Sequence, residues 1–328
     1  MSDSSTKDTA ARCARWATAV WLLAALGVLP ALAEDPSAGA EAAAEIAGPE
    51  WDAEKGVWRF QVASPYLGGR NAVEVLLPDD FSPDGGRRYR VLYVLPVEPG
   101  IGGRYGDGLV EVKKLDVHNR HGLICVAPAF DTVPWFMDHA TDPRRRHESH
   151  LMCVVLPLVD GRYPTVAEPE GRLLLGFSKS GWGAFTLLLR HPDVFGYAAA
   201  WDCPMMLKEE DWDRWGIREA AGTVENFRRY QPARLLNSRT EPFRDRARFA
   251  LLGHKSFGPG GGSSYQGEHT HTRWAHDTMS QLGIRHAYNN EVIVPHTWAA
   301  GWVGPAVEAL MSIAEAAGTS DDPSTDPQ

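Results

Sequence analysis

The residues with the clearest chemical signature lie in the middle of the chain, between Leu173 and Phe185. An apolar run there leads into a turn of small residues that contains Ser178, and a helical pattern follows at once. A strand, a tight turn and a helix in this order are typical of a nucleophile elbow, in which a strained turn lifts a serine hydroxyl above a sheet. The pattern therefore predicts that Ser178 is a nucleophile. The alternative is a buried strand and a glycine-rich helix start without catalysis.

Small residues on both sides of Ser178 support this choice of serine. Gly176 lies two positions before it and Ser180 two positions after it, which lets the strand and the helix approach closely. Ser180 is a poorer candidate, because the bulky Trp182 would then occupy the crowded position. The start of the helix also directs backbone N–H groups, beginning with that of Lys179, towards a negative charge that develops beside the serine.

The sequence around this turn resembles that of a known family. The stretch GFSKSGWGAF (176–185) is similar to the G-x-S-x-G-G-x-G-A elbow of the esterase D family of α/β-hydrolases, which includes feruloyl and acetyl esterases and the mycolyltransferase antigens. Further similarity lies in RVLYVLP (90–96), RHPDVFGYAAA (190–200) and PHTWAAGW (295–302), and it extends over about Trp51–Ala317. The resemblance implies acyl transfer from an ester to water by a serine–histidine–acid triad, without a metal or other cofactor.

The chain departs from the family pattern in the loop that would complete an oxyanion hole. Family members often have His-Gly-Gly after the early apolar strand, where this chain has Pro96-Val97-Glu98-Pro99-Gly100. Because proline has no N–H, the second oxyanion donor would be the amide of Val97 or Glu98. A Glu98 carboxylate that pointed into the site would disfavour a developing oxyanion.

The resemblance also indicates the base, whereas the family's acid position, directly after the predicted strand 248–253, carries no carboxylate in this chain. His296 matches the family's histidine in an H-x-W sequence near the end of the chain, where a neutral imidazole could take the serine proton and return it to the leaving group. Two carboxylates are candidates for the acid: Glu268, after the glycine-rich loop, and Asp202, which closes the strand after the elbow helix. We favour Glu268, because a loop could return it to the site. We keep Asp202, because some α/β-hydrolases place the acid there.

Tryptophans near these positions suggest a binding pocket. Trp135 and Trp298 could line an acyl or sugar pocket, since flat apolar faces offer contact area. Packing in the protein core is the alternative for both. A metal site at Glu268-His269-Thr270-His271, with His276, is disfavoured, because a His-x-His pattern is a weak signal in a chain with 12 histidines.

Short apolar runs bounded by turn signals predict the strands that would position these residues. The predicted strands are 57–62, 71–77, 90–95, 122–127, 172–177, 197–201 and 248–253, and the predicted helices are 148–158, 180–190, 272–282 and 305–317. Their alternation indicates an α/β fold of the α/β-hydrolase type, a doubly wound, mostly parallel sheet with helices on both faces. Sites in such sheets lie at the carboxyl ends of the strands, where Ser178 is expected.

The two ends of the chain differ in composition from this predicted domain (51–317). Met1–Ala33 carries basic residues before an uncharged apolar run and ends in Ala-Leu-Ala, which is typical of a secretory signal peptide cleaved after Ala33. The apolar run falls short of the ~20 residues of a membrane-spanning helix. Residues 34–50 are predicted to form a flexible leader and residues 318–328 a disordered tail. We therefore expect a secreted or periplasmic protein.

Composition and charge narrow the function classes further. With 44% hydrophobic and 23% charged residues in 328, the chain can bury a full core. A formal net charge of −9 argues against nucleic acid as a partner, and no later stretch is apolar enough to predict a membrane partner. Together these patterns predict an exported serine esterase that acts on a small-molecule or polysaccharide-linked ester. The alternatives are a catalytically silent hydrolase fold that binds glycans or a protein, and an acyltransferase that uses the same triad.

Overall fold

The computed structural model of the protein describes residues 43–253, 270–291 and 295–319. Nine strands in that part of the chain form one sheet. They are β1 (Glu45–Asp52), β2 (Val57–Ala63), β3 (Arg70–Leu76), β4 (Val91–Val94), β5 (Ile124–Pro128), β6 (Arg172–Phe177), β7 (Tyr197–Trp201), β8 (Phe249–Leu252) and β9 (His286–Asn289). Across the sheet their order is β1-β2-β3-β5-β4-β6-β7-β8-β9. The pairs β1–β2, β2–β3 and β3–β5 are antiparallel, and every later pair is parallel.

Helices lie between the strands and cover both faces of the sheet. They are α1 (Gly108–Lys114), α2 (Val117–Arg120), α3 (His147–His150), α4 (Leu156–Arg162), α5 (Ser178–Arg190), α6 (Ile217–Ala221), α7 (Val224–Arg228), α8 (Pro232–Ser238), α9 (His271–Gln281) and α10 (Val303–Thr319). A π-helical turn, Leu151–Val155, joins α3 to α4. This architecture confirms the predicted doubly wound α/β fold.

The two faces of the sheet bury separate apolar cores. Successive residues of a strand point to opposite faces, and in β6 the side chain of Leu174 packs in one core while those of Leu173 and Leu175 pack in the other. Helices α4, α5, α8 and α9 contribute to the first core, and α1 and α10 to the second. Strands covered on both faces carry continuous apolar runs, which is why the central strands could be read from the sequence.

The predicted flexible leader (34–50) is wrong over its last residues. Glu45–Asp52 forms β1, which pairs antiparallel with β2 in a register that shifts between Ala47 and Glu50. Most side chains of this edge strand are exposed, so it lacks the apolar pattern that marks a strand. Backbone pairing with β2 and an ion pair between Glu45 and Arg70 hold it instead.

The chain ends fall partly outside the described residues. This is the case for the predicted signal peptide, for the start of the predicted leader and for residues 320–328. Helix α10 continues to Thr319, two residues into the predicted tail. None of the helices described is long and apolar enough to cross a bilayer.

Candidate active site

Ser178 lies at the sharp turn between β6 and α5, where the elbow was predicted. Its backbone is in the left-handed region, with φ of 51°, and the residue is 8% exposed. A non-glycine residue in that region costs on the order of 1–3 kcal/mol and persists only where the surrounding structure enforces it. The pairing of β6 with both neighbours and the immediate start of α5 provide that constraint.

Close backbone contacts explain the small residues around Ser178. A Cβ on Gly176 would lie 2.5 Å from the carbonyl carbon and oxygen of Ser180. A Cβ on Gly181 would lie 2.0 Å from the Cys203 sulfur. The Ser180 hydroxyl accepts a hydrogen bond from the Phe177 amide and donates one to the Phe177 carbonyl oxygen, at 3.0 and 2.9 Å. The Ser180 side chain therefore stabilises the turn, and Ser178 is the serine at its apex.

Asp202 occupies the equivalent position on the neighbouring strand. In the parallel pairing of β6 with β7, Phe177 is the partner of Trp201, so Ser178 and Asp202 follow the paired residues on adjacent strands. Asp202 also has a left-handed backbone, with φ of 48°, and is 2% exposed. Its Oδ2 lies 3.4 Å from Nδ1 of His296. The favoured acid, Glu268, lies outside the described residues, so this contact supports the alternative, Asp202.

Aromatic rings enclose the His296 imidazole on the side of the elbow. Its ring centroid lies 5.1 Å from that of Phe177, the residue before Ser178, and 5.9 Å from that of Tyr105, both edge-on. The Tyr105 carbonyl accepts a hydrogen bond from the Trp298 amide at 2.8 Å, which ties the loop of the tyrosine to that of the histidine. The structure thus brings Ser178, Asp202 and His296 to one edge of the sheet. Sequence reasoning missed Tyr105, for which no motif gave a signal.

The three amides predicted for an oxyanion hole belong to two segments that run side by side. Strand β4 pairs with β6 so that Val94 faces Leu175, and the Leu95 amide continues the ladder by donating to the Leu175 carbonyl at 2.9 Å. The next residues, including Val97 and Glu98, therefore pass beside the elbow. Lys179 lies in the first turn of α5, where N–H groups have no partner within the helix.

The Glu98 carboxylate is paired with cations. Its Oε1 accepts a hydrogen bond from Lys179 Nζ at 3.0 Å and lies 3.7 Å from an Arg104 guanidinium nitrogen. Burial lowers the pKa of Lys179, while the hydrogen bond to Glu98 opposes that shift. The negative charge that would disfavour an oxyanion is thus offset within the same loop–helix junction.

The predicted pocket role of Trp135 and Trp298 is wrong in this structure. Trp135 is 0% exposed, its indole N–H donates to the Trp215 carbonyl at 3.0 Å, and its ring packs edge-on against Trp182. Trp298 is 1% exposed and packs against Phe177. Both are core residues, because the segments around them fold over their rings and leave no open face for a ligand.

Two of the histidines considered for a metal site have other partners. His271 Nδ1 accepts a hydrogen bond from the Met206 amide at 3.1 Å, and His276 Nδ1 lies 2.9 Å from Nε2 of His286. The remaining residues of that pattern, Glu268 and His269, lie outside the described ranges. Within those ranges, no group of three or more His, Cys, Asp or Glu side chains is arranged to hold a metal ion.

Comparison with known proteins agrees with this fold. Residues 124–242, from β5 past the elbow to the short helices after β7, match the sequence model of the family described as "Putative esterase". The protein has an α/β-hydrolase fold. A solved ferulic acid esterase superimposes on this chain with a TM-score of 0.58 at 18% identity, over 83% of this chain and 98% of that one. An S-formylglutathione hydrolase from Agrobacterium tumefaciens gives a TM-score of 0.60 at 15% identity, over 79% and 95%.

The chain is also similar to curated proteins of greater length. It is 26% identical over 164 residues to Esterase Rv1288 of Mycobacterium tuberculosis (strain ATCC 25618 / H37Rv). The aligned region is 47% of this chain and 34% of that protein. The chain therefore spans about a third of the length of the curated relatives that it matches.

Proposed function

We propose that the protein is a serine carboxylic-ester hydrolase that works through an acyl-enzyme on Ser178. One observation carries the proposal. A serine with a left-handed backbone ends β6, and the neighbouring strand ends in a carboxylate, Asp202, whose Oδ2 lies 3.4 Å from Nδ1 of His296. A nucleophile, an imidazole and a buried carboxylate at one sheet edge are the groups that acyl transfer requires.

Asp202 selects the tautomer in which His296 acts as a base. A carboxylate accepts the Nδ1–H, which leaves the Nε2 lone pair free to take a proton. The Ser178 oxygen attacks the ester carbonyl carbon, the carbonyl π bond opens to an oxyanion, and the hydroxyl proton moves to His296 Nε2. The amide of Lys179 and that of Val97 or Glu98 hold the oxyanion.

Collapse of the oxyanion breaks the bond from carbon to the alcohol oxygen. The proton on His296 passes to that oxygen, so the alcohol leaves neutral and the acyl group stays on Ser178. Water then attacks the acyl carbon while His296 removes its proton, and the same steps in reverse order release the carboxylic acid and restore the serine.

We further propose that the protein is exported and that its substrate is an acyl ester linked to a carbohydrate. The signal-peptide pattern of Met1–Ala33 supports export. The structural likeness to a ferulic acid esterase supports this ester class. A panel of acetylated and feruloylated oligosaccharides set against simple alkyl esters tests the substrate, and the length of the exported chain tests the cleavage after Ala33.

Hydrolysis of a chromogenic acetyl or butyryl ester tests the activity. The wild type should hydrolyse the ester, Ser178→Ala should lose at least about 10³-fold in kcat, and the exposed-serine control Ser82→Ala should match the wild type. A fluorophosphonate probe should label the wild type at one site and leave Ser178→Ala unlabelled. Equal rates for the wild type and Ser178→Ala, or an unlabelled wild type, would reject the proposal in favour of a silent binding protein. Acylated alcohol products in place of free acid would identify an acyltransferase.

A further inference from the structure

The loop that carries the second oxyanion donor is fixed at its two ends. The Leu95 amide donates to the Leu175 carbonyl at 2.9 Å, and the Gly100 amide donates to the Phe130 carbonyl at 2.8 Å. The four residues between these anchors, 96–99, include two prolines, which have no N–H. The middle of the loop must therefore be held by side chains.

Val97 and Glu98 supply the two N–H groups that remain in this stretch. Neither amide donates a hydrogen bond to an acceptor within 43–253, 270–291 or 295–319. Val97 is also buried, at 3% exposure. Free amides near a serine elbow are available to a substrate oxygen, but they bind it well only if the loop holds them still.

The Glu98 side chain links this loop to the elbow through an ion pair. Its carboxylate lies 3.0 Å from Nζ of Lys179, and the two side chains are only 24% and 12% exposed. Partly buried ion pairs are screened less by water and salt than exposed ones. The contact joins Glu98, which offers a loop amide, to Lys179, whose amide starts the elbow helix.

Building on the proposed function, we propose that the Glu98–Lys179 ion pair is the positioning device of the oxyanion hole. The ion pair fixes the distance between the loop and the start of α5, the two backbone segments whose N–H groups bind the oxyanion. It does so through the side chains of Glu98 and Lys179, two residues that also carry such N–H groups. Neither side chain touches the ester.

A second set of contacts connects the Glu98–Lys179 ion pair to His296, the proposed base. The Arg104 guanidinium lies 3.7 Å from Glu98 and stacks 4.5 Å from the centre of the Tyr105 ring, which in turn lies edge-on to His296. Arg104 itself is 71% exposed, so water screens its contribution. The short, shielded contact between Glu98 and Lys179 is the part on which the positioning depends.

Glu98→Gln separates positioning from a simple charge effect. If the carboxylate acted only as a negative charge near the oxyanion, its removal would raise kcat. If the ion pair positions the loop, removal lowers kcat. We expect a decrease of about 10- to 100-fold, less than the 10²–10³ of a deleted donor, with KM changed less than about 3-fold.

A charge exchange adds a rescue that a merely structural role would not show. Lys179→Met should lower kcat as Glu98→Gln does. The double variant Glu98→Gln/Lys179→Met should also have a low kcat, because the ion pair is still absent. The exchanged pair, Glu98→Lys/Lys179→Glu, should return kcat to within about 10-fold of the wild type. Glu111→Gln removes a lysine–glutamate pair on α1 that involves none of the proposed site residues, and it should leave kcat unchanged.

Circular dichroism and thermal unfolding of each variant report whether it folds. A folded Glu98→Gln variant with kcat at or above the wild-type value, or a double neutral variant that recovers activity, would overturn the positioning role. The proposed function would survive that result as long as Ser178→Ala remains inactive. A wild type with no esterase activity and no fluorophosphonate labelling would overturn both.

Discussion

Nδ1 of His296 lies 3.4 Å from Oδ2 of Asp202, although the two residues are 94 positions apart in the chain. Asp202 is buried at the end of β7, and His296 follows β9 near the end of the chain. The histidine side chain is 9% exposed and that of the aspartate 1%, so water screens their interaction little. A carboxylate in this position orients the imidazole and stabilises its charged form.

Asp202→Asn should lower kcat for ester hydrolysis by on the order of 10³–10⁴ with little change in KM, because an amide that donates to Nδ1 stabilises the wrong imidazole tautomer. Steady-state kinetics on the chromogenic ester measures the effect. Asp213→Asn, at an exposed aspartate paired with Arg218, is the matched control and should behave like the wild type. Full activity of Asp202→Asn together with an inactive Glu268→Gln would instead make Glu268 the acid.

Gly176→Ala should destabilise the protein by about 1–3 kcal/mol, since its Cβ would lie 2.5 Å from backbone atoms of Ser180 that cannot move without bending the elbow. It should also slow fluorophosphonate labelling of Ser178.

Gly161→Ala is the matched control and should change the free energy of unfolding in the opposite direction. Gly161 lies in α4 with open space at its Cβ, and alanine there should stabilise by about 0.5–1 kcal/mol. Denaturant unfolding of both variants measures the free energies, and equal effects would contradict the packing argument.

A buried ion-pair network stabilises the helices beside the sheet. Glu148 accepts hydrogen bonds from Arg190 Nε at 2.6 Å and from the Tyr230 hydroxyl at 2.8 Å, and it lies 2.7 Å from His191 Nε2. Burial raises the pKa of the Glu148 carboxyl, but Arg190 and His191, through their charges and hydrogen bonds together, outweigh burial and hold the pKa well below its usual range. The carboxylate therefore stabilises the folded state.

Glu148→Gln should lower the free energy of unfolding by about 3–5 kcal/mol near neutral pH, because it leaves the Arg190 guanidinium buried without its counter-charge. A carboxyl whose pKa is lower in the folded than in the unfolded state stabilises fully above the unfolded value of about 4.3, and this contribution is lost as the pH falls towards the folded value. The difference between wild type and variant should thus shrink in acid. Denaturant titrations from about pH 7 to pH 3 test this, with the exposed Glu225→Gln as control; a difference that is constant with pH would contradict it.

Much of the fold and the centre of the site could be predicted from local pattern. Strands β6 and β7 match their predicted bounds, because both are buried on two faces and carry only apolar residues inside. Strand β9, which is half-buried and contains a histidine and an asparagine, shows no such pattern and was missed. The short helices α6 and α7 were missed for a similar reason, since each spans five residues.

The sequence by itself determined the position of Ser178 and the layered α/β architecture. Both follow from short-range rules, namely the small residues at a strand-to-helix turn and the apolar runs of covered strands. Only the tertiary structure decided that Asp202 meets His296, that Trp135 and Trp298 are packed in the core, and that Glu98 pairs with Lys179. These are contacts between residues far apart in the chain, and their geometry depends on strand order and on the paths of loops, which residue types and spacing do not specify.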